Sequence, residues 1–252
     1  MTTLELTTEH ALFLDIDGTL LDLAPTPDAV TIPPGLPEQL RKLQQKLDGA
    51  LAILSGRKLA DIDHLLGPGL PCAAEHGLIL RDEAGCVTHT ARPPAAYAQW
   101  LKILENYTES MPGILIEEKQ YSLVLHYRRA PRYEAELRQI AERLIADSPD
   151  AILLPAHCAF ELRARGGGKA DALASFMAHL PFTGRKPIFI GDDITDEPAI
   201  AKANELGGAG LHVARDFAGK TEAVREWLSQ WDHDPSTTVI AGPHSGRGNP
   251  SS

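Results

Sequence analysis

Two carboxylates spaced by two, Asp15 and Asp17, close an apolar run that begins at Ala11, and Gly18-Thr19-Leu20 follows them. In an extended chain, residues two apart share a face, so both acids point the same way. Side by side in a half-dry crevice they repel each other. A bound cation relieves that repulsion, and hard oxygen ligands suit Mg²⁺. A second acidic group, Asp192-Asp193 with Asp196, follows another apolar run, and between the two come Ser55-Gly56-Arg57 and Lys169. A carboxylate cluster with a hydroxyl, a guanidinium and an ammonium is equipment for phosphoryl transfer. The cation offsets the repulsion between an attacking carboxylate and a phosphate dianion, while Ser55 and Lys169 hold phosphate oxygens. Each piece also has a plainer reading. Asp-Gly opens many solvated loops, Ser-Gly is a common turn, an arginine is usually a surface charge, and Asp and Thr cap helices. Gly166-Gly167-Gly168-Lys169 looks like a phosphate loop, yet Ala170 stands where that motif needs Ser or Thr. The conjunction carries the chemistry.

The elements that must position these groups follow from apolar spacing. Ala11–Leu14, Ala50–Leu54 and Pro71–Ala74 read as short buried strands. Between them, Leu36, Leu40, Leu43 and Leu47, then Leu59, Ile62, Leu65 and Leu66, recur at helical spacing. This β-α-β-α-β order predicts a parallel, Rossmann-like α/β sheet with right-handed crossovers. Such sheets bind ligands at the carboxyl ends of their strands, where Asp15, Asp17 and Ser55 fall. After a hairpin over 78–90 the rhythm changes to α-β-β-α-β-β, which predicts a small antiparallel sheet covered by two helices. The core pattern resumes at Lys169, with strands at Pro187–Ile190 and Leu211–Ala214 and a last helix bearing Val224, Trp227, Leu228 and Trp231. The expected organisation is a core of residues 1–92 and 165–233, an inserted cap of residues 93–164, and a disordered Pro/Gly/Ser-rich tail over 234–252.

Bulk properties narrow the partners. With 24 Lys and Arg against 34 Asp and Glu, the net charge is -10, which argues against non-specific nucleic-acid binding. The three cysteines lack metal spacing and read as reduced thiols of a cytoplasmic protein. No run approaches the ~20 apolar residues of a membrane span, and Met1-Thr2-Thr3-Leu4-Glu5 does not read as a signal peptide. A monomer acting on a small molecule is expected.

Asp15-x-Asp17-Gly18-Thr19-Leu20, Ser55, Lys169 and Gly191-Asp192-Asp193-x-Thr195-Asp196-Glu197 resemble the four motifs of the haloacid dehalogenase superfamily of phosphatases. The insertion resembles that superfamily's larger α/β cap. Within it, Ser55-Gly56-Arg57, Glu75-His76-Gly77, Glu117-x-Lys119, His126-Tyr127-Arg128 and Glu161-Leu162-Arg163 resemble the trehalose-6-phosphate phosphatases. The resemblance implies Asp15 as nucleophile, forming an aspartyl-phosphate, and Asp17 as general acid and then base. It implies Mg²⁺ held by the Asp15 carboxylate, the Asp17 backbone carbonyl and Asp192, with Asp193 and Asp196 orienting the metal shell. Ser55 and Lys169 would grip the phosphate, with Arg57 beside Ser55 and Arg128 reaching from the cap. Glu117, Lys119 and Glu161 would hydrogen-bond sugar hydroxyls, which need both acceptors and donors. On its own, the Glu117/Lys119 pair reads as a cross-strand salt bridge on a solvated face. The rivals are a capped phosphatase for sucrose phosphate or another sugar phosphate, a phospho-acceptor signalling domain, and a non-catalytic sugar-phosphate sensor.

Overall fold

The computed structural model describes residues 6–24, 29–156 and 158–231. The tail expected over 234–252 lies outside the described residues. The central sheet has seven strands in the order β11-β10-β1-β2-β3-β4-β5. In chain order these are β1 (His10–Leu14), β2 (Leu51–Leu54), β3 (Cys72–Ala74), β4 (Ile79–Arg81), β5 (Val87–His89), β10 (Lys186–Gly191) and β11 (Ala209–His212). The first five in spatial order run parallel, and the β4–β5 hairpin adds an antiparallel edge. Strand β1 lies between β10 and β2, which explains why Ala11, Leu12, Phe13 and Leu14 are all apolar: none is exposed.

Helices α1 (Leu36–Lys46), α2 (Leu59–Leu66), α5 (Lys169–Met177), α6 (Glu197–Glu205) and α8 (Thr221–Ser229) cover this sheet. Each buries the stripe its sequence spacing offers, as with Leu36, Leu40 and Leu43 of α1 and Val224 and Leu228 of α8. The packing of α5 matters most for function. Phe176 lies 6.1 Å from Phe13, and Phe182 stacks on Phe13 at 5.4 Å. Burying each such ring contributes roughly 1.5–3 kcal/mol, and Phe176 fixes the helix on β1, so its first residue, Lys169, arrives beside Asp15.

The chain predicted as a strand over Leu211–Ala214 instead leaves β11 at His212 and enters a short helix, α7 (Val213–Asp216). Local side-chain capping decides this. His212 Nδ1 accepts the Ala214 N–H at 3.1 Å, and the Asp216 carboxylate accepts the His212 N–H at 2.7 Å.

The second sheet is antiparallel, in the order β6-β7-β9-β8: β6 (Leu115–Glu118), β7 (Ser122–His126), β8 (Ala151–Ala156) and β9 (Ala159–Ala164). Helices α3 (Tyr97–Thr108) and α4 (Glu134–Ile145) pack on one face and form a separate core, with Trp100, Leu104, Leu137 and Ile140 against Leu123, Leu125, Phe160 and Leu162. Alternation along β7 sends Ser122, Val124 and His126 to the other face. There Glu117, Val124 and Glu161 stand in register across three strands, facing the carboxyl ends of the central sheet. Among the described residues, no helix is long and apolar enough to cross a membrane.

Candidate active site

A cavity of about 310 Å³ lies between the carboxyl rim of the central sheet and the open face of the cap sheet. It is large enough for a small organic ligand. Its floor begins at Asp15, 4% exposed at the end of β1. Lys169 Nζ donates to Asp15 Oδ1 at 2.6 Å and to Asp196 Oδ1 at 2.5 Å. Burial alone would lower the Lys169 ammonium, but Asp15 and Asp196 outweigh it and hold the group above its ordinary value. Asp196 is fully buried, and its other oxygen accepts the backbone N–H groups of Asp192 at 3.1 Å and Asp193 at 3.2 Å. It therefore shapes the loop that presents Asp192. Asp193 accepts the Ile194 N–H at 2.6 Å and caps the turn that follows.

This floor carries surplus negative charge. Carboxylate oxygens of Asp15, Asp192 and Asp196 lie within 4.8 Å of one another. Burial, then the charge of Asp196, pushes the Asp192 carboxyl up to about 7. Burial also raises Asp15 well above the usual carboxylate range, against the pull of Lys169. Among the described residues lining the cavity, seven carboxylates face four Lys and Arg cations. A hard divalent cation answers that surplus, and the donor set is all oxygen. The room exists too. Gly18 sits at φ +73°, and a Cβ there would fall 1.9 Å from Asp192 Oδ2. The residues present thus fit a cation.

Ser55, 1% exposed at the end of β2, accepts the Arg57 N–H at 3.2 Å through Oγ. Arg57 forks onto Asp17, with Nε to Oδ2 at 2.7 Å and Nη2 to Oδ1 at 2.6 Å. Burial opposes the Arg57 charge, and Asp17 more than offsets it. The glycines before Lys169 find a reason here. Gly167, at φ +63°, passes so close to the next loop that a Cβ would meet Leu78 at 2.7 Å.

The roof comes from the cap. Glu161, 4% exposed, accepts Ser122 Oγ at 2.6 Å and lies 3.4 Å from His76 Nε2 and 3.7 Å from Lys119 Nζ. Burial would raise its carboxyl, but Lys119, His76 and Ser122 hold it well below its usual value. Glu117 Oε2 pairs with His126 Nε2 at 2.8 Å. Lys119 Nζ donates to the Gly56 carbonyl at 2.8 Å, crossing from cap to core. The Glu117–Lys119 salt bridge that spacing alone favours is not how these groups pair: each has another partner. Arg128, exposed, lines the mouth.

The sequence model of a family described as "Trehalose-phosphatase" matches residues 13–231. The chain belongs to that family. It is 39% identical over 221 residues to the trehalose-6-phosphate phosphatase of Escherichia coli (strain K12), covering 87% of this chain and 82% of that one. It is 44% identical over 205 residues, 81% and 77% of the two chains, to a Sinorhizobium fredii protein named "Probable trehalose-phosphate phosphatase". The fold matches the C. albicans trehalose-6-phosphate phosphatase C-terminal domain with a TM-score of 0.75 at 21% identity, over 90% and 92% of the chains. It also matches a haloacid dehalogenase-like hydrolase from Bacteroides thetaiotaomicron, with a TM-score of 0.57 at 14% identity over 86% and 98%. The architecture is thus that of a capped haloacid dehalogenase-like fold.

In this trehalose-phosphatase chain, Asp15, Asp17, Ser55, Arg57, Lys169, Asp192 and Asp193 line one side of the cavity. Glu117, Lys119, Arg128 and Glu161 line the other. Asp196 lies beneath Asp15 and Asp192 and does not line it. From the sequence, His76 and His126 read as core or supporting residues without a metal partner, although both line the cavity, and Glu75 entered only as part of a motif. The available signal was position: Glu75-His76-Gly77 follows β3 at the same sheet edge as Asp15 and Ser55.

Proposed function

We propose that this chain is a Mg²⁺-dependent phosphatase that hydrolyses trehalose 6-phosphate to trehalose and phosphate, acting as a cytoplasmic monomer with residues 93–164 as a substrate-selecting cap. One observation carries the reading. A phosphoryl-transfer floor and a roof in which buried Glu161 pairs with partly buried Lys119 enclose one cavity. An Asp15 oxygen attacks phosphorus, the bond from phosphorus to the sugar oxygen breaks, and Asp17 gives that oxygen its proton. Asp17 then takes a proton from water, the water oxygen attacks the aspartyl-phosphate, and Asp15 leaves as a carboxylate. Arg57 must first release Asp17, and a phosphate dianion offers its fork a competing two-pronged partner. Lys169 and Ser55 donate to the other phosphate oxygens. Asp15, the Asp17 carbonyl and Asp192 would hold Mg²⁺, with Asp193 and Asp196 behind them. When bound, the ion supplies positive charge that offsets repulsion between Asp15 and the phosphate.

The test is phosphate release from trehalose 6-phosphate beside sucrose 6-phosphate, glucose 6-phosphate and p-nitrophenyl phosphate. The first should exceed the others in kcat/KM by about 100-fold or more, because a substrate that leaves the site's buried polar groups unpaired is penalised. Chelator should abolish turnover and Mg²⁺ restore it. Turnover of the others without trehalose 6-phosphate would discard the substrate.

Gly18→Ala supplies a second check. The added methyl must push Asp192 aside, and the residue must hold a left-handed backbone conformation, at a cost of about 1–2 kcal/mol. Turnover should fall by about 100-fold, and calorimetric titration should show weakened Mg²⁺ binding. Wild-type Mg²⁺ affinity in this variant would remove Asp192 from the ligand set.

A further inference from the structure

Glu75 and His76 follow one another at φ +46° and +57°, a left-handed pair without a glycine. Their backbones are stitched to the phosphate-side loop: Glu75 N–H donates to the Arg57 carbonyl and His76 N–H to the Ser55 carbonyl, both at 2.9 Å. Their side chains reach the other way. The Glu75 carboxylate, in a residue 1% exposed, accepts the backbone N–H of Gln120 through one oxygen and of Tyr121 through the other, each at 2.9 Å. Those two amides belong to the turn between β6 and β7, and Lys119 immediately precedes them. His76 packs its ring under Gly56, where a Cβ would fall 2.4 Å from Nε2, and points that nitrogen at Glu161.

We propose that Glu75 is a positioning residue for the sugar end of the site: its carboxylate seats the Lys119–Tyr121 turn of the cap on the core and so places the Lys119 ammonium. This rests on the function proposed above. A buried carboxylate that bonds two consecutive amides fixes both the height and the tilt of a turn. With the turn seated, Lys119 Nζ reaches the Gly56 carbonyl and stands by Glu161. Further ties hold the same segment from outside: Tyr97 Oη donates to the Lys119 carbonyl at 2.6 Å, the Ala164 N–H donates to the Tyr121 carbonyl at 2.9 Å, and Tyr121 Oη pairs with His89 Nδ1 at 2.6 Å. None of these touches the Gln120 or Tyr121 amides, so among the described residues Glu75 alone links the turn's backbone to the loop that carries Ser55 and Arg57. The left-handed pair is explained by this double duty, since it turns the backbone toward Ser55 while aiming the carboxylate at the cap.

The test uses the full chain with Glu75→Gln, which keeps the volume but sets an amide NH₂ against one of the two N–H donors. Amide hydrogen exchange of Gln120 and Tyr121, read without substrate, should quicken by about tenfold or more while the melting temperature of the rest of the chain holds. The KM for trehalose 6-phosphate should rise by about tenfold with kcat little changed, while kcat/KM for p-nitrophenyl phosphate, which has no sugar to place, stays within about twofold. Glu75→Asp, shorter by one methylene, should act in the same direction and carries both readouts if the glutamine variant does not fold. Tyr121→Phe, which cuts the hydroxyl's ties to His89 and to Gln120 Nε2 but leaves Glu75 and both backbone amides in place, should leave KM near wild type. Unchanged exchange would overturn the proposal, as would equal losses on both substrates or a KM rise in Tyr121→Phe matching that of Glu75→Gln. Failure of the substrate reading would show as a wild type active on p-nitrophenyl phosphate but not on trehalose 6-phosphate, and the exchange result would still decide the role of Glu75.

Discussion

Asp15→Asn is expected to remove turnover, by a factor of about 10⁴ or more, while leaving the chain folded. Asn matches Asp in shape, but its amide oxygen cannot attack phosphorus and return as a leaving carboxylate. Stability should move the other way. Burial raises the Asp15 carboxyl well above its usual value, so above the unfolded-state pKa the ionised form works against folding; neutral Asn removes that burden. Lys169 keeps Asp196 as a partner. In chelator the variant should therefore melt at or above the wild-type temperature. Added Mg²⁺ should raise wild-type melting more than that of the variant, because an ion that binds only the native state stabilises in proportion to its affinity. Near-normal phosphate release from Asp15→Asn would overturn the nucleophile assignment. A melting temperature far below wild type in chelator would show that Asp15 serves the fold.

Lys169→Met should harm both activity and stability. The ammonium is the shared partner of Asp15 and Asp196, and both of those residues are almost or fully buried. Removing one member of a buried ion group leaves uncompensated charge, at a cost of about 3–5 kcal/mol. Urea unfolding in chelator should show a loss of that size, and Mg²⁺ should recover part of it. Activity should fall by about 10²–10³-fold, the usual result of deleting one donor to developing charge. A variant that unfolds like wild type in chelator would mean that Asp15 and Asp196 do not need Lys169 to coexist.

The parallel sheet was legible because its buried strands are short apolar runs, each ending in polar chemistry: Leu14 before Asp15, Leu54 before Ser55, Ile190 before Gly191-Asp192. Strand ends define a rim, so residues far apart in sequence could be placed together without any pairwise contact being known. The pairings themselves were not legible. Nothing in the spacing says that Arg57 forks onto Asp17, or that Lys119 bonds Gly56 while Glu117 bonds His126. Such choices depend on how distant segments pack, within the core for Arg57 and Asp17 and between cap and core for Lys119 and Gly56, and that is a tertiary property. The same holds for Glu75, whose partners are backbone amides and so have no side-chain signature. The error at Leu211–Ala214 has a local cause: an apolar-looking stretch hides a histidine that caps a turn.

The strand order also governs how the protein comes off the ribosome. β1 pairs with β2, complete by residue 54, and with β10, which spans residues 186–191. At about 5–20 residues per second, the interval between those two neighbours is on the order of ten seconds. All four cap strands are made within that interval, from chain segments close in sequence. A nascent chain thus carries Asp15 long before it carries Lys169, Asp192 or Asp196, and one flank of β1 waits unpaired meanwhile. Fragments that stop short of β10 would hold Asp15 and all four strands of the second sheet, yet would lack Asp192 and Asp196. Aggregation during synthesis is most to be expected at that open flank, and a chaperone would have its best purchase there.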